Sequence, residues 1–163
     1  MTRLILLTWT LLESAAAATP TISVSIKEQR LTLLDDGCVR HTFPVSTATR
    51  GIGDRPGSRK TPVGEFVIAE KIGAKLPMGA VFVHRKWTGR VARPDNGRNQ
   101  IVTRILRLAG GNAFDRGIYI HGTTKERELG TPASIGCIHL SSRDVVRLFD
   151  LVPTGTRVLI ARQ

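Results

Sequence analysis

At 163 residues and 41% hydrophobic content, the chain is long enough to bury one real core and too short for several domains. Its net charge of +11 attracts polyanions, yet aromatic residues make up only 5%. With no recognition helix, zinc finger or RNA-binding aromatic motif either, the sequence speaks against a nucleic-acid partner.

The first eighteen residues have the three parts of an export signal: Arg3, the apolar stretch Leu4 to Leu12, and an alanine run from Ala15 to Ala18 offering an A-x-A cleavage site. The stretch is too short to span a bilayer. Glu13 interrupts the pattern, and the competing reading is the buried first element of a cytoplasmic protein. Residues 1–18 are thus expected to be a signal peptide, placing the protein in the periplasm or cell envelope. A single domain over residues 22–161 follows.

Ile22 to Ile26 alternates apolar and polar residues as a half-buried strand does, and Arg30 to Leu34 reads as a second strand. Asp36-Gly37 is a hairpin turn, after which Cys38 to Val45 returns antiparallel. Thr47 to Pro62, rich in Gly, Pro, Ser and Arg, is a long loop of the kind that carries function. Strands are expected after Thr61, at Val81 to Val83, at Ile101 to Leu108 and at Gly117 to Ile120. Pro77, Gly79, Gly89, Pro94 and Gly97 predict loops in the middle. One helix starts at Ser141, with Asp144 completing a capping box and Val145, Leu148 and Phe149 forming its buried stripe. Pro153 and Gly155 end it before a last strand, Arg157 to Ile160. The fold class is mainly β with one late helix.

Between Arg85 and Arg107 lie seven basic residues opposed only by Asp95. For an exported chain, carboxylate-bearing wall polymers or anionic lipid headgroups fit such a strip better than nucleic acid does. A solvated basic face with no ligand is the plainer alternative. A monomer is expected.

His121 and Cys137 carry the chemistry. A thiol attacks as thiolate, and a neighbouring imidazole both takes its proton and stabilises the charge. His121 directly follows an apolar strand and precedes Gly122. Cys137 follows Gly136, which lets a substrate carbonyl approach backbone N–H groups. Together they suggest acyl transfer through a thioester. A Cys38–Cys137 disulfide is the alternative that would make the thiol structural. His41 and His84 read as surface or core residues.

His121-Gly122-Thr123 followed by Ser134-x-Gly136-Cys137 resembles the L,D-transpeptidase catalytic domain, also called the YkuD domain. Thr61-Pro62-Val63-Gly64-Glu65-Phe66 is similar to the family's T-P-x-G-x-F element. Arg30 to Gly37 resembles its opening hairpin, and Asp144 to Val152 its helix after the nucleophile. The resemblance covers roughly residues 22–161 and implies a β-sandwich or barrel-like domain with one C-terminal helix after the nucleophile loop. It also implies an enzyme that cleaves the bond before the terminal D-alanine of a peptidoglycan tetrapeptide stem. The acyl group then passes to the amine of a second stem as a 3→3 cross-link, to a lipoprotein lysine, or to water. By the same resemblance Cys137 is the nucleophile, and His121 is base and acid, oriented by the Gly122 carbonyl. Backbone N–H groups around Gly136 and Cys137 hold the oxyanion, and Ser134 braces the loop. Tyr119, Thr123 and His139 lie beside the site. No metal or other cofactor is required.

Two positions depart from the family's S-H-G-C-I/V-R pattern: Ile135 replaces its second histidine and His139 its arginine. An isoleucine makes no hydrogen bond, and a histidine cannot reproduce a bidentate guanidinium grip. This motivates a second reading, a weakly active or inactive peptidoglycan-binding protein of the same fold. A sortase-like or papain-like thiol enzyme fits less well: the former wants Thr-Leu-x-Thr-Cys and a later arginine, the latter Cys before His.

Overall fold

The computed structural model describes residues 20–163. The expected signal peptide at 1–18 lies outside the described residues. The expected domain is framed by strand β1 (Pro20–Ser25) and strand β10 (Arg157–Ala161), which pair in parallel.

β1 continues antiparallel into β2 (Arg30–Asp35) and β3 (Cys38–Pro44), as the alternation predicts. Asp36 and Gly37 have φ of 49° and 76°, the left-handed pair that a tight hairpin needs. On the other side of β10 lie β4 (Gly64–Ile72) and β7 (Ile101–Ala109), then β5 (Ala80–Val83) and β6 (Lys86–Val91) at the edge. β8 (Tyr119–Thr123) pairs with β7, and β9 (Ile138–Leu140) pairs with β8, completing a ten-stranded sheet. Helix α2 (Ser142–Leu151) follows β9 and is capped by Ser141 Oγ, which accepts from Asp144 N at 3.0 Å. Its buried residues are Val145, Leu148 and Phe149, the predicted stripe. They join the main core with Ile22, Val24, Leu31, Phe66, Ile68, Leu106 and Ile120.

The middle of the chain differs from expectation. β6 makes a hairpin with β5, although the composition there predicts loops. Its turn is built by His84 and Arg85 at φ 48° and 65°, so no glycine marks it. All six residues of β6 are exposed, so it lacks the apolar alternation of a half-buried strand. A one-turn helix, α1 (Ala113–Arg116), was also unmarked in the sequence; Gly117 caps it at φ 65° in the left-handed region.

The basic stretch is not one solvated strip either. Arg104 is buried, donating to the carbonyls of Leu76 at 2.9 Å and Thr103 at 2.6 Å. Arg107 lies 3.4 Å above the Phe114 ring and pairs with Glu70 at 3.3 Å. Two of the seven cations therefore serve the fold.

Candidate active site

β8 and β9 run in parallel with His121 opposite His139 and Ile120 opposite Ile138. Because side chains alternate along a strand, Tyr119 and His121 share one face with Cys137 and His139. The two isoleucines point the other way, into the main core. Gly122 allows this arrangement: a Cβ there would stand 2.6 Å from the Val102 carbonyl oxygen, where β8 crosses the bulged part of β7.

His121 is 2% exposed, and its Nδ1 lies 2.8 Å from the Gly122 carbonyl oxygen. A carbonyl only accepts, so Nδ1 carries the proton and Nε2 is left as the basic nitrogen. The His139 ring packs against it, with centroids 4.7 Å apart and planes at 56°. Burial pushes the His121 pKa down to about 4, against a smaller upward pull from the Gly122 bond. Burial, and then the charge of His121, push His139 down to about 3. Both imidazoles are therefore neutral at ordinary pH.

The Cys137 sulfur is held by backbone. Tyr119 N–H donates to it at 3.4 Å, and the thiol donates to the Gly117 carbonyl at 3.5 Å. Among the described residues no hydrogen bond joins it to either imidazole. Both cysteines are free thiols, Cys38 exposed and Cys137 half-buried, so the disulfide alternative is not formed. Burial raises the Cys137 pKa to about 11, opposed by the Tyr119 N–H and by the positive charge of Arg116.

The loop before Cys137 is braced on several sides. Ser134, fully buried, donates through Oγ to the Cys137 carbonyl at 2.6 Å and accepts from Gly136 N–H at 3.1 Å. Of the two amides expected to receive an oxyanion, that of Gly136 is thus engaged, whereas Cys137 N–H takes part in none of the loop's hydrogen bonds. Thr61 Oγ1 donates to the Gly136 carbonyl at 3.0 Å and accepts from Ala48 N at 2.9 Å, which gives the T-P-x-G element a physical task. Thr123 is buried and accepts from Lys125 N at 3.0 Å, shaping the turn after β8 rather than touching the thiol. The Tyr119 hydroxyl accepts from Arg85 at 3.3 Å. Ile135, 66% exposed, stands at the rim.

Cys137, Tyr119 and Gly136 line a cleft of about 600 Å³ walled by the 56–59 segment and by Asn112 to Gly117. Arg116 shapes that wall. Its side chain is 6% exposed and reaches Gly53 O at 3.2 Å, Asp54 at 3.0 Å, Ser58 Oγ at 3.3 Å and Lys60 O at 2.7 Å. A lone arginine five residues before a histidine carries no sequence signal, so this role was not foreseeable. A separate hollow of about 490 Å³ between β1, β10 and β4 carries neither thiol nor imidazole. Among the described residues no group of three or more His, Cys, Asp or Glu is placed to hold a metal ion.

A family model for the L,D-transpeptidase catalytic domain (YkuD) matches residues 19–160. YqjB of Bacillus subtilis (strain 168), which carries an L,D-transpeptidase assignment, is 30% identical over 152 residues, covering 93% of this chain and 77% of that protein. YkuD of the same strain, with the same assignment, is 28% identical over 142 residues, covering 86% of this chain and 65% of that one. Among solved structures, the L,D-transpeptidase LdtMt1 in complex with imipenem superposes with a TM-score of 0.60 at 23% identity, over 88% of this chain. An L,D-transpeptidase from Mycobacterium smegmatis gives 0.59 at 21% identity, again over 88% of this chain. At these identities the two superpositions speak for the fold alone. The chain spans 59% of the length of each of those solved chains.

Proposed function

The chain belongs to the L,D-transpeptidase catalytic-domain family, and from that premise we propose that it is an exported cysteine acyltransferase acting on peptidoglycan tetrapeptide stems. The observation that carries this reading is the orientation of His121. Its Nδ1–H is fixed on the Gly122 carbonyl, which frees Nε2 on the sheet face that Cys137 shares, and Cys137 itself lines the open cleft.

In the proposed reaction the Cys137 sulfur attacks the carbonyl before the terminal D-alanine. His121 Nε2 takes the thiol proton as the C–S bond forms. The thiol lies near pKa 11 and the imidazole near 4, so the thiolate–imidazolium pair is scarce at rest and proton transfer accompanies attack. For this step the thiol turns from the Gly117 carbonyl toward the imidazole. The oxyanion is received by Cys137 N–H; one such donor is typically worth about 3–4 kcal/mol of barrier. The imidazolium then protonates the departing D-alanine amine, the C–N bond breaks, and a thioester remains. A second amine, or water, loses a proton to His121 and attacks the thioester. Sulfur leaves and recovers its proton, giving a cross-link or a shortened stem.

The raised thiol pKa and the missing sulfur–imidazole hydrogen bond favour a slow enzyme and sustain the second reading, a wall-binding protein with the same cleft. Intact-mass measurement with a disaccharide tetrapeptide separates the two. The native chain is expected to gain the substrate's mass minus D-alanine. Cys137→Ala gains nothing, and His121→Ala reacts about 100-fold or more slowly. An unmodified native chain, whose Cys137 reacts with iodoacetamide no faster than exposed Cys38, would support wall binding instead.

A further inference from the structure

Arg59 and Asp115 line the cleft beside Cys137 from two of its walls, and the acyl-transfer steps use neither. Both are exposed, and among the described residues neither side chain enters a hydrogen bond or an ion pair. The backbone segments that carry them are tied together through the buried Arg116 guanidinium. Arg116 is Asp115's neighbour in sequence, and it donates to Ser58 Oγ and Lys60 O, the residues on either side of Arg59. Arg59 itself is held at φ 59°, a left-handed conformation that side chains other than Gly, Asn and Asp rarely adopt. Such an outlier persists where its surroundings over-determine it, as the Arg116 clamp does here.

The cleft thus presents one unpaired guanidinium and one unpaired carboxylate, on two walls that Arg116 ties together. The one other charged residue lining the cleft, Arg116, is already paired, with Asp54 at 3.0 Å. Resting on the peptidoglycan-stem reading above, we propose that Arg59 and Asp115 form a subsite for a free α-amino-acid head group, the ammonium-plus-carboxylate end of a diamino acid side chain in the stem. The guanidinium takes the carboxylate through paired N–H donors, and Asp115 accepts from the ammonium. A side chain ending in ammonium alone, or one whose carboxylate is amidated, leaves Arg59 without its partner. The pair therefore sets which stems are acylated.

The test uses the full chain with Cys38→Ser, so that Cys137 is the one thiol, and reads acylation of Cys137 by intact mass. The substrates are tetrapeptide stems whose third side chain ends in a free amino-acid head, in its carboxamide, in a lysine ammonium, or in an N-acetylated free acid. The parent chain is expected to prefer the free head over the carboxamide and over lysine by about tenfold or more. In Arg59→Gln that preference collapses because the free-head rate falls while the carboxamide rate holds. In Asp115→Asn the three ammonium-bearing stems slow and the N-acetylated stem does not. Iodoacetamide, which has no head group, alkylates all three chains at rates within about twofold, separating loss of the subsite from loss of the nucleophile. Equal stem preference in the parent and Arg59→Gln would overturn the subsite and leave acyl transfer standing. A parent chain that no stem acylates would overturn both.

Discussion

At Gly122 the backbone of β8 runs against β7 and α2 so closely that an added Cβ would stand 2.6 Å from the Val102 carbonyl oxygen and 3.1 Å from Val145 Cγ1. The same residue's carbonyl holds His121 Nδ1, so any shift that makes room for a methyl also turns the imidazole. Gly122→Ala is expected to cost about 1–3 kcal/mol of stability in urea melts. It should slow Cys137 acylation further than that loss explains, in fully folded protein. The neighbouring histidine supplies a second test. His121 is a base only when neutral, and its pKa is pushed down to about 4. The acid limb of the acylation rate is therefore expected near pH 4, falling as pH drops through that value, rather than near the ordinary 6.5. A limb at 6.5 would mean that the imidazole is far better solvated than its 2% exposure implies. His121 and Cys137 were legible as candidates because glycines flank them. Arg59 and Arg116 were not, since what sets them apart is a backbone angle and a set of carbonyls distant in sequence.

At the scale of elements, the legible parts are those in which sequence alternation coincides with burial. β1 to β3 and α2 declare themselves through their apolar periods, the Asp36-Gly37 turn and the Ser141 cap. β6 was hidden because it is exposed on both sides and its turn lacks glycine. β9 was hidden because three residues are too few to show a period, although it sets His139 beside His121. The 53–60 segment has no ladder of its own apart from a bridge of Ile52 to Thr61, and it depends on Arg116. Removing that side chain leaves the Gly53 and Lys60 carbonyls without its donors and withdraws a charge that lowers the Cys137 pKa. Arg116→Ala is accordingly expected to lose about 2–3 kcal/mol of stability and to speed hydrogen exchange across the 53–60 segment. The thiol pKa should rise further, read as a shift to higher pH in the iodoacetamide profile of Cys137. Arg116→Lys keeps the charge without the fork, so it should retain the alkylation profile while still loosening the loop.

For the molecule as a whole, placing two buried imidazoles side by side on adjacent strands couples its stability to pH. The folded pKa values of His121 and His139, about 4 and about 3, lie below the ordinary 6.5 of an exposed histidine. Between those limits the unfolded chain binds protons that the folded chain refuses. Acid therefore favours unfolding, and the full contribution is kept only above pH 6.5. The slope approaches roughly 1 kcal/mol per pH unit for each histidine well inside that window. A net charge of +11, which acid makes more positive, adds self-repulsion in the same direction. The two contributions separate in His139→Phe, which keeps an aromatic ring beside His121 and removes one buried titrating site. Denaturant melts at pH 7.5, 6.5, 5.5 and 4.5 should show the native chain weakening steeply below 6.5 and the variant weakening by visibly less per unit. Parallel curves for the two proteins would mean that His139 takes up its proton in the folded state as readily as in the unfolded one. A ring packed 4.7 Å from a second imidazole at 4% exposure argues against that outcome.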